Sequence, residues 1–338
     1  MRLTAALYRK SQKLCTANDG MTHMAKLKNR QGKNMNYKRI LTIQDISCVG
    51  QCSGSVALPI ISACGHECCL LPSAVLSTHT GGFTGYTFCD LTEEIPKIHQ
   101  HWRDENIKFD CVYTGYLGST KQIKYVADIF DDMLGLGGIK VVDPAMADNG
   151  KLYYGFDQEF VTAMGHLCAE ADIVLPNISE ASFMTGIEYK EEYDQQYVSN
   201  LISKLDEMGC KCIVMTGVSY REGYTGVVIY EDGFYSYYEH EKIANGCHGT
   251  GDVYASAFVG AMLQNKGAVE AACIAADYVV ECIKATQADD EAKAPRYEAA
   301  AKSKNPSYAT DIPVGGKAGH WYGVEFERQL GYLIDRLK

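Results

Sequence analysis

The stretch "GCHGTGDVYASAF", Gly246 to Phe258, decides how this chain is interpreted. Two glycines and a threonine stand directly before Asp252, and a run of mostly small residues follows it. A loop with so little side-chain bulk leaves its backbone N–H groups open to a ligand. Because the run after the loop predicts a helix, the loop also receives the positive end of a helix dipole. This combination suits an oxyanion or a phosphate.

Asp252 is unexpected in such a loop, because a carboxylate repels a resting anion. It is well placed, however, to take a proton from a hydroxyl group that attacks a phosphoryl group held by the loop. The alternative is an aspartate that caps its own helix, with the glycines marking a turn. The motif alone favours neither interpretation.

Composition narrows the class of protein. With 338 residues, 46% of them hydrophobic, the chain can bury the core of one large α/β domain or two small ones. Its net charge of −10 argues against nucleic-acid binding. Fourteen cysteines without a secretory signal suit a reducing compartment, and no apolar run approaches the roughly 20 residues of a membrane span. We therefore expect a cytoplasmic enzyme with neither nucleic acid nor membrane as a partner.

The N-terminal arm differs in composition from the rest of the chain. Residues 1–39 contain ten Lys or Arg and one acid, Asp19, so they carry 10 − 1 = +9 and the remainder carries −10 − 9 = −19. We interpret residues 1–38 as a disordered extension or a misassigned start, with Met35 as a candidate true start. An organelle-targeting peptide is the alternative.

From Arg39 onward, short apolar runs alternate with helical periodicity, which predicts an α/β fold with a mainly parallel central sheet flanked by helices. The predicted strands are 39–44, 68–72, 110–115, 139–144, 172–177 and 211–217. The segment 225–240 predicts an antiparallel edge hairpin around Asp232-Gly233. We expect a single domain over 39–338, in which 287–319 forms an exposed excursion before a last helix.

Polar residues follow the predicted strands where each strand ends, and ligands of such sheets bind at this edge. Asn177 and Glu180 carry oxygen ligands of the type that Mg²⁺ prefers, as does Asp148 in the loop after the fourth predicted strand. The alternative for these residues is solvated loop acids. The polar residues along the edge are Asp45, Tyr116, Asp143, Asn177, Glu180 and Thr216.

The ordered motifs "SCVGQCSGSVALPIISACG", "AVLSTHTGGF", "YTGYLGS", "VVDPAMADNGKLY", "LPNISEA" and "HGTGDVYASAFVGAM" resemble those of the pyridoxal kinase family of ribokinase-like kinases, over nearly the whole chain from Arg39. The resemblance implies a ribokinase-like three-layer sandwich. It also implies ATP-dependent phosphorylation of the 5′-hydroxyl of a B6 vitamer, namely pyridoxal, pyridoxamine or pyridoxine. A homodimer, Mg²⁺ and a further monovalent cation are the implied partners.

Residue by residue, the resemblance implies that Asp252 is the general base. The backbone of Gly249, Thr250 and Gly251 would form the anion hole for the γ-phosphoryl group. Asp148 and Glu180 would organise Mg²⁺, while Asn177 and Thr216 would lie near the ATP phosphates. The positions that match the surroundings of the pyridine ring are His79, Thr80 and Tyr116, joined by Asp45.

Asp45 departs from the serine that many pyridoxal kinases carry, so the preferred vitamer stays open. A carboxylate cannot donate a hydrogen bond, and it would favour a protonated ring nitrogen or an amino-bearing vitamer. The other interpretation is that Asp45 points to solvent or binds a neighbouring backbone N–H.

Several other functions remain to be compared. Hydroxymethylpyrimidine kinase is a relative with a similar glycine loop and similar metal-binding acids. It typically has an "SGGAG"-like turn where this chain has "SCVGQCSG". A sugar kinase is disfavoured, because an aromatic pocket suits a flat ring better than a sugar. A non-catalytic vitamin-binding protein on the same scaffold stays open. Neither G-x-G-x-x-G after the first strand nor a Walker sequence is present.

Four side chains around the second predicted strand are of the types that bind zinc. Cys64, His66, Cys68 and Cys69 resemble a zinc site only superficially, because strand alternation points neighbours to opposite faces. Cys247 lies two residues before the anion hole, and we expect a buried inert thiol.

The basic arm contributes no recognisable core. A chain that starts at Met35 should therefore fold and keep its turnover and melting temperature, measured beside the full chain. A large drop in either quantity would show that the arm packs on the domain or closes the site.

Overall fold

The computed structural model describes residues 37–80, 83, 85–243, 247–301 and 323–338. Within these residues, one sheet of nine strands runs in the order β11-β10-β9-β8-β5-β4-β1-β2-β3. The ladders from β2 to β9 are parallel, whereas β3, β10 and β11 pair antiparallel at the two edges. A small second pair, β6 and β7, lies apart from this sheet.

The strands are β1 (Arg39–Ser47), β2 (Glu67–Leu76), β3 (Phe88–Asp90), β4 (Phe109–Thr114), β5 (Leu134–Val142), β6 (Ala147–Asp148), β7 (Lys151–Leu152), β8 (Ile173–Val174), β9 (Cys212–Val218), β10 (Tyr224–Glu231) and β11 (Phe234–Glu241). The helices are α1 (Gly54–Ala63), α2 (Ile95–Asp104), α3 (Thr120–Met133), α4 (Gln158–Glu170), α5 (Ile178–Thr185), α6 (Gln195–Met208), α7 (Thr250–Leu263), α8 (Ala268–Ala301) and α9 (Leu330–Leu337).

Helices cover both faces of the sheet, which gives three layers and two hydrophobic cores. One core packs the sheet against α1, α7, α8 and α9, and the other packs it against α2 to α6. In β1, Ile40 belongs to the first core and its neighbour Leu41 to the second, and both side chains are fully buried. Parallel strands buried on both faces read as nearly continuous apolar runs, which is why the central strands were visible in the sequence.

The predicted fold class is confirmed: a mainly parallel sheet is flanked by helices and carries an antiparallel edge hairpin. The hairpin, β10 and β11, turns at Asp232 and Gly233, both of which have positive φ angles of 52° and 81°. Two positive φ angles in succession are what a tight hairpin turn with the sheet's own twist requires. All six predicted strands have a counterpart in the sheet.

Three local predictions need correction. The fifth strand is much shorter than 172–177, because only Ile173–Val174 joins the ladder before the chain turns into α5. Asp45 does not follow the first strand but lies within it, since β1 continues to Ser47. The start of the predicted 287–319 excursion continues α8 as far as Ala301, and residues 302–319 lie outside the described residues. The N-terminal extension up to residue 36 also lies outside the described residues.

In the part of the chain that the structure describes, no helix combines the length and the apolar character that crossing a bilayer requires.

Candidate active site

The loop before α7 places open backbone N–H groups next to the carboxylate of Asp252. Gly249 precedes the helix with a φ angle of 78°, and Thr250, Gly251 and Asp252 form its first turn. Backbone N–H groups in a first turn have no partner within their own helix. A Cβ built on Gly251 would meet nothing within 4 Å, so there is open space beside this stretch of backbone. This geometry fits an anion.

Asp252 does not cap its own helix, which excludes the capping alternative. Its Oδ2 accepts a hydrogen bond of 2.9 Å from the backbone N–H of Ser53, in the loop between β1 and α1. Burial raises the pKa of this carboxyl to about 6, with a smaller contribution from the negative charge of Asp45, while the Ser53 N–H opposes the rise. A carboxyl with a pKa near working pH is suited to accept and release a proton.

Asp45 lies next to this carboxylate and is only 5% exposed. The hydroxyl of Ser47 donates to its Oδ2 over 3.1 Å. Burial raises the pKa of Asp45, and hydrogen bonds from Ser53 and Ser47 lower it. Ser53 therefore contacts both acids, the base through its backbone and Asp45 through its side chain. The solvent-facing alternative for Asp45 is wrong.

A second group of acids lies at the ends of β5 and β8. Burial raises the pKa of Asp143 well above its usual range, and the charges of Glu180 and Asp252 add to the rise. Asp148 likewise adds to the raised pKa of Glu180, whose main cause is burial. These mutual effects place the second group beside Asp252. A cation bound here together with further ligands would relieve this repulsion.

Glu180 and Asn177 form a complete capping box at the start of α5. The backbone N–H of Asn177 donates to Glu180 Oε2 over 2.9 Å, and the N–H of Glu180 donates to Asn177 Oδ1 over the same distance. The second oxygen, Oε1, accepts from the N–H of Met146 over 3.0 Å. Glu180 is 2% exposed, so the alternative of a solvated loop acid is wrong for it. Asn177 Nδ2 also donates to the carbonyl of Ala147.

Asp148, by contrast, is exposed at the tip of the hairpin formed by β6 and β7. Its two oxygens accept from the backbone and the side chain of Asn149, each over 2.9 Å. Asn149 and Gly150 have φ angles of 50° and 71°, which make the tight turn. In the described residues, no three His, Cys, Asp or Glu side chains converge as a metal site on their own. Other ligands, such as phosphate oxygens and water, would have to complete one.

Thr216 lies beside Asn177, as the edge of a parallel sheet requires. The two residues form a bridge, and the N–H of Thr216 donates to the carbonyl of Pro176 over 2.9 Å. Thr216 belongs to β9 itself and is half-buried. Both residues are half-buried, and the side chain of Asn177 is occupied by the capping box.

Aromatic side chains border the other end of the site. Tyr116 stacks on Phe156 with ring centroids 5.5 Å apart, and Phe156 stacks on Phe160 at 3.8 Å. Burial raises the pKa of Tyr116 to about 12, and the charge of Asp45 adds to the rise, which places this hydroxyl close to Asp45. This arrangement offers a flat surface to a ring.

His79 is 5% exposed and lies 5.9 Å from the ring of His248, the residue before Gly249. A Cβ on Gly50 would come within 2.1 Å of the His79 ring, so the first loop closes tightly over this histidine. Thr80, next to it, is exposed. His79 thus lies near the anion loop, whereas Thr80 is on the surface.

The cysteine and histidine cluster has structural roles. Cys64 is buried at the end of α1, where a Cβ on Gly260 would come within 2.4 Å of its Sγ. His66 Nε2 lies 3.1 Å from the carbonyl of Gly260, so the histidine ring joins this packing. Burial raises the pKa values of Cys64, Cys68 and Cys69. Cys247 is half-buried, and its predicted inertness stays a prediction.

Sequence reasoning missed two residues of this site, Ser53 and Phe156. Ser53 gave no signal, because its position between the two acids depends on a φ angle of 53° in the first loop. Phe156 lies in a loop with no periodicity, beyond the reach of pattern arguments. Asp143 was predicted at the sheet edge as a polar residue after an apolar strand, but the metal-binding role was assigned to Asp148 in the same motif.

Taken together, the three-layer fold, the glycine loop with its aspartate and the acids at the strand ends define a small-molecule kinase of the ribokinase-like class. The profile of the phosphomethylpyrimidine kinase family matches residues 61–295. This chain belongs to that family of kinases, which also includes pyridoxal kinases.

Individual relatives support this assignment. The pyridoxal kinase of Dictyostelium discoideum is 25% identical over 237 residues, covering 66% of this chain and 77% of its own. A solved structure from Bacteroides thetaiotaomicron, a candidate phosphomethylpyrimidine kinase in a crystal form with pyridoxal, has 30% identity and a TM-score of 0.75 and covers 88% of this chain and 96% of its own. Pyridoxal kinase from Lactobacillus plantarum has 26% identity and the same TM-score, with coverages of 88% and 97%.

The raised pKa of Asp252 implies a stability cost that depends on pH. In the unfolded chain this carboxyl loses its proton near pH 3.8, while the folded chain holds it to about pH 6, so ionisation favours unfolding across this window. Asp252→Asn removes the ionisable group. We expect the variant to be more stable than wild type by about 1–3 kcal/mol at pH 8, a gain that vanishes near pH 4.

Thermal unfolding at both pH values measures this difference. Asp128→Asn, which changes an exposed helical aspartate, is the matched control and should show no such dependence. An Asp252→Asn variant that is no more stable than wild type at pH 8 would contradict the expectation.

Proposed function

We propose that this protein transfers the γ-phosphoryl group of ATP to the 5′-hydroxyl of a B6 vitamer, forming the 5′-phosphate as in vitamin salvage. One observation carries the proposal: the carboxylate of Asp252, held by the Ser53 N–H, lies beside the open first turn of α7. A base and an anion hole at one point are what hydroxyl attack on a phosphoryl group needs.

In this mechanism, Asp252 accepts the proton of the 5′-hydroxyl as the hydroxyl oxygen attacks the γ-phosphorus of ATP. The bond from the γ-phosphorus to the bridging oxygen breaks, and ADP leaves. The backbone N–H groups of Gly249, Thr250 and Gly251 stabilise the negative charge that develops on the transferring group. Because these groups are fixed before the reaction, little reorganisation is needed at the moment of transfer. The proton that Asp252 holds afterwards can pass to solvent, since a pKa of about 6 allows its release at neutral pH.

The acids at the strand ends would hold Mg²⁺ together with the ATP phosphates. The oxygens of Asp148 accept only from Asn149 at the exposed tip of the hairpin, so they can also reach a cation directly or through water. Glu180 is buried, and both of its oxygens accept backbone N–H groups. We therefore propose that Glu180 contributes negative charge near the metal and holds the turn at Asn177, without binding the metal directly. Asp143 is a further acid of the same site. Mg²⁺ would supply charge neutralisation for the transferred group. Thr216 would lie along the phosphates, and a monovalent cation stays a proposal from resemblance alone.

The vitamer ring would lie against the stack of Tyr116 and Phe156, with His79, Thr80 and Asp45 around it. Offset stacking of aromatic rings adds to the free energy of burial. The second candidate substrate is hydroxymethylpyrimidine, which appears in the name of a relative from Aquifex aeolicus that is 31% identical over 114 residues. It is also a flat heterocycle with a primary hydroxyl. A vitamin-binding protein without catalysis is the third.

ATP consumption with pyridoxal, pyridoxamine, pyridoxine and hydroxymethylpyrimidine, each offered separately, tests these alternatives. We expect turnover with at least one B6 vitamer and a loss of roughly 10²–10⁴-fold in Asp252→Asn, because a positioned base is removed. The Asp128→Asn variant should match wild type. Preference for hydroxymethylpyrimidine, or turnover of Asp252→Asn within a few-fold of wild type, would refute the substrate or the base respectively.

Asp45 should set the vitamer preference, since its carboxylate can pair with the ammonium group of pyridoxamine but not with the aldehyde of pyridoxal. A charge-assisted pair is worth about 1.5–3 kcal/mol, so Asp45→Ser should lower the pyridoxamine-to-pyridoxal ratio of kcat/KM by roughly tenfold or more. Because Asp45 also raises the pKa of Asp252, the acid limb of the pH profile should move to lower pH.

The control for this experiment is Ser47→Ala, which removes a hydroxyl donor to Asp45 but keeps the carboxylate. It should leave the vitamer ratio nearly unchanged. If Asp45→Ser leaves the ratio unchanged as well, Asp45 does not contact the substrate, and preference lies with His79, Thr80 or Tyr116.

We further propose that the protein is a homodimer, as the resemblance implies. The edge strand β11 exposes Phe234 by 78% and Tyr235 by 47%, which makes this edge a candidate contact. Light scattering at micromolar concentration should give a mass near twice 37.2 kDa. A monomeric mass would refute the dimer.

A further inference from the structure

The segment Gly323–Glu327 lies between the two loops that hold the candidate base. Gly323 forms a parallel bridge with Gln51, in the loop between β1 and α1. The next residue, Val324, donates its backbone N–H to the carbonyl of His248 over 3.1 Å. His248 directly precedes Gly249, so this short segment joins the first loop to the anion loop.

The same segment is anchored to the core behind it. Glu325 donates its N–H to the hydroxyl of Thr286 over 2.8 Å, and the hydroxyl of Tyr278 donates to the carbonyl of Phe326 over 2.9 Å. Both partners lie on α8. Val324 is fully buried and Phe326 is 2% exposed. The segment is therefore a fixed strand-like support and not a loose tail.

Gln51 is enclosed between the anion loop and this support. A Cβ on Gly249 would lie 2.0 Å from the carbonyl oxygen of Gln51, and a Cβ on Gly323 would lie 2.7 Å from its Cβ. Both glycines have positive φ angles, 78° and 128°, which other residues rarely adopt. Any side chain at either position would collide with Gln51, so the two glycines allow their backbone to lie close to this residue.

The side chain of Gln51 is also fixed. Its Nε2 donates to both carboxylate oxygens of Glu327, over 2.9 Å and 2.8 Å. Two residues further along the chain, the N–H of Ser53 holds Asp252. A displacement of Gln51 would thus reach the base through Ser53 and the anion hole through Gly249.

We propose that Gly323 and Glu327 are positioning residues for phosphoryl transfer: by fixing Gln51, they set the distance between Asp252 and the backbone of the anion loop. The proposal rests on the phosphotransfer function proposed above. Neither residue contacts the reacting atoms in this scheme. Their effect follows because a misplacement of about 1 Å in a reacting geometry can cost roughly 10²-fold in rate.

A positioning role and a merely structural role differ in what they change. The base and the anion hole act chiefly as charge develops in the transition state, so their misplacement lowers kcat at saturating substrate concentrations. A structural role would lower the melting temperature, but it would leave kcat unchanged at assay temperatures well below the melting temperature. Glu327 is suited to this test, because its hydrogen bonds with Gln51 are exposed and their loss should not unfold the protein.

The experiment compares Glu327→Ala, Glu327→Gln and Gly323→Ala in the full chain. We measure kcat with ATP and the best vitamer, the melting temperature, and amide hydrogen exchange in peptides that cover 247–253. In Glu327→Ala we expect kcat to fall about three- to tenfold, exchange in these peptides to accelerate, and the melting temperature to stay unchanged. Glu327→Gln keeps one acceptor oxygen for Gln51 and should recover most of the loss.

Gly323→Ala should reduce kcat more strongly, because its Cβ would collide with Gln51. Two controls match these variants. Asp335→Ala removes an exposed ion pair with Lys338 on α9, and Gly331→Ala adds a Cβ that meets nothing within 4 Å. Both should leave kcat and exchange unchanged.

Unchanged kcat and exchange in Glu327→Ala would overturn the proposal, even if Gly323→Ala fails to fold. A lower melting temperature with unchanged kcat would overturn it as well. If the wild type phosphorylates none of the four substrates, yet exchange accelerates in Glu327→Ala and recovers in Glu327→Gln, the proposed function fails while the mechanical link between the support and the anion loop stands.

Discussion

The hydrogen bond from the Ser53 N–H to Asp252 is the constraint on which the rest of the site depends. It joins two segments that are 199 residues apart in the chain, the turn after β1 and the first turn of α7. Ser53 reaches this position with a φ angle of 53° and a ψ angle of −132°, a region that non-glycine residues rarely adopt. Such a conformation typically costs of order 1–3 kcal/mol and persists only where surrounding contacts fix it. Here the bridge between Ile46 and Ser53, together with the start of α1, fixes it.

The acidic residues of the site lower the stability of the folded protein. Asp45, Asp143, Glu180 and Asp252 all have raised pKa values, and burial is the largest cause for each. Ionisation of a carboxyl group that the fold shields from water lowers the free energy of unfolding. A group of this kind is expected where a cation and a polyphosphate are to be bound, since the ligands themselves complete the charge balance. The site thus combines backbone donors for an anion with acids for a cation.

The sequence predicted the fold well because the central strands are apolar on both faces and the hairpin has an Asp-Gly turn. It also predicted that Asp45, Asn177 and Glu180 would gather at one edge, since parallel strands end together. The place of Asp252 beside them was implied by the resemblance. The sequence could not predict how they are connected. The dual contact of Ser53 depends on loop geometry, and the capping box shortens β8 because Asn177 turns the chain early into α5. The tertiary contact of Gly323 with Gln51 has no local signature at all.

The spacing between Gln51 and Ser53 has a consequence for how this chain can vary in length. The side chain of Gln51 is hydrogen-bonded to Glu327, and the N–H of Ser53, two residues later, is hydrogen-bonded to Asp252. One residue added between Gln51 and Ser53 would therefore separate the base from its partner.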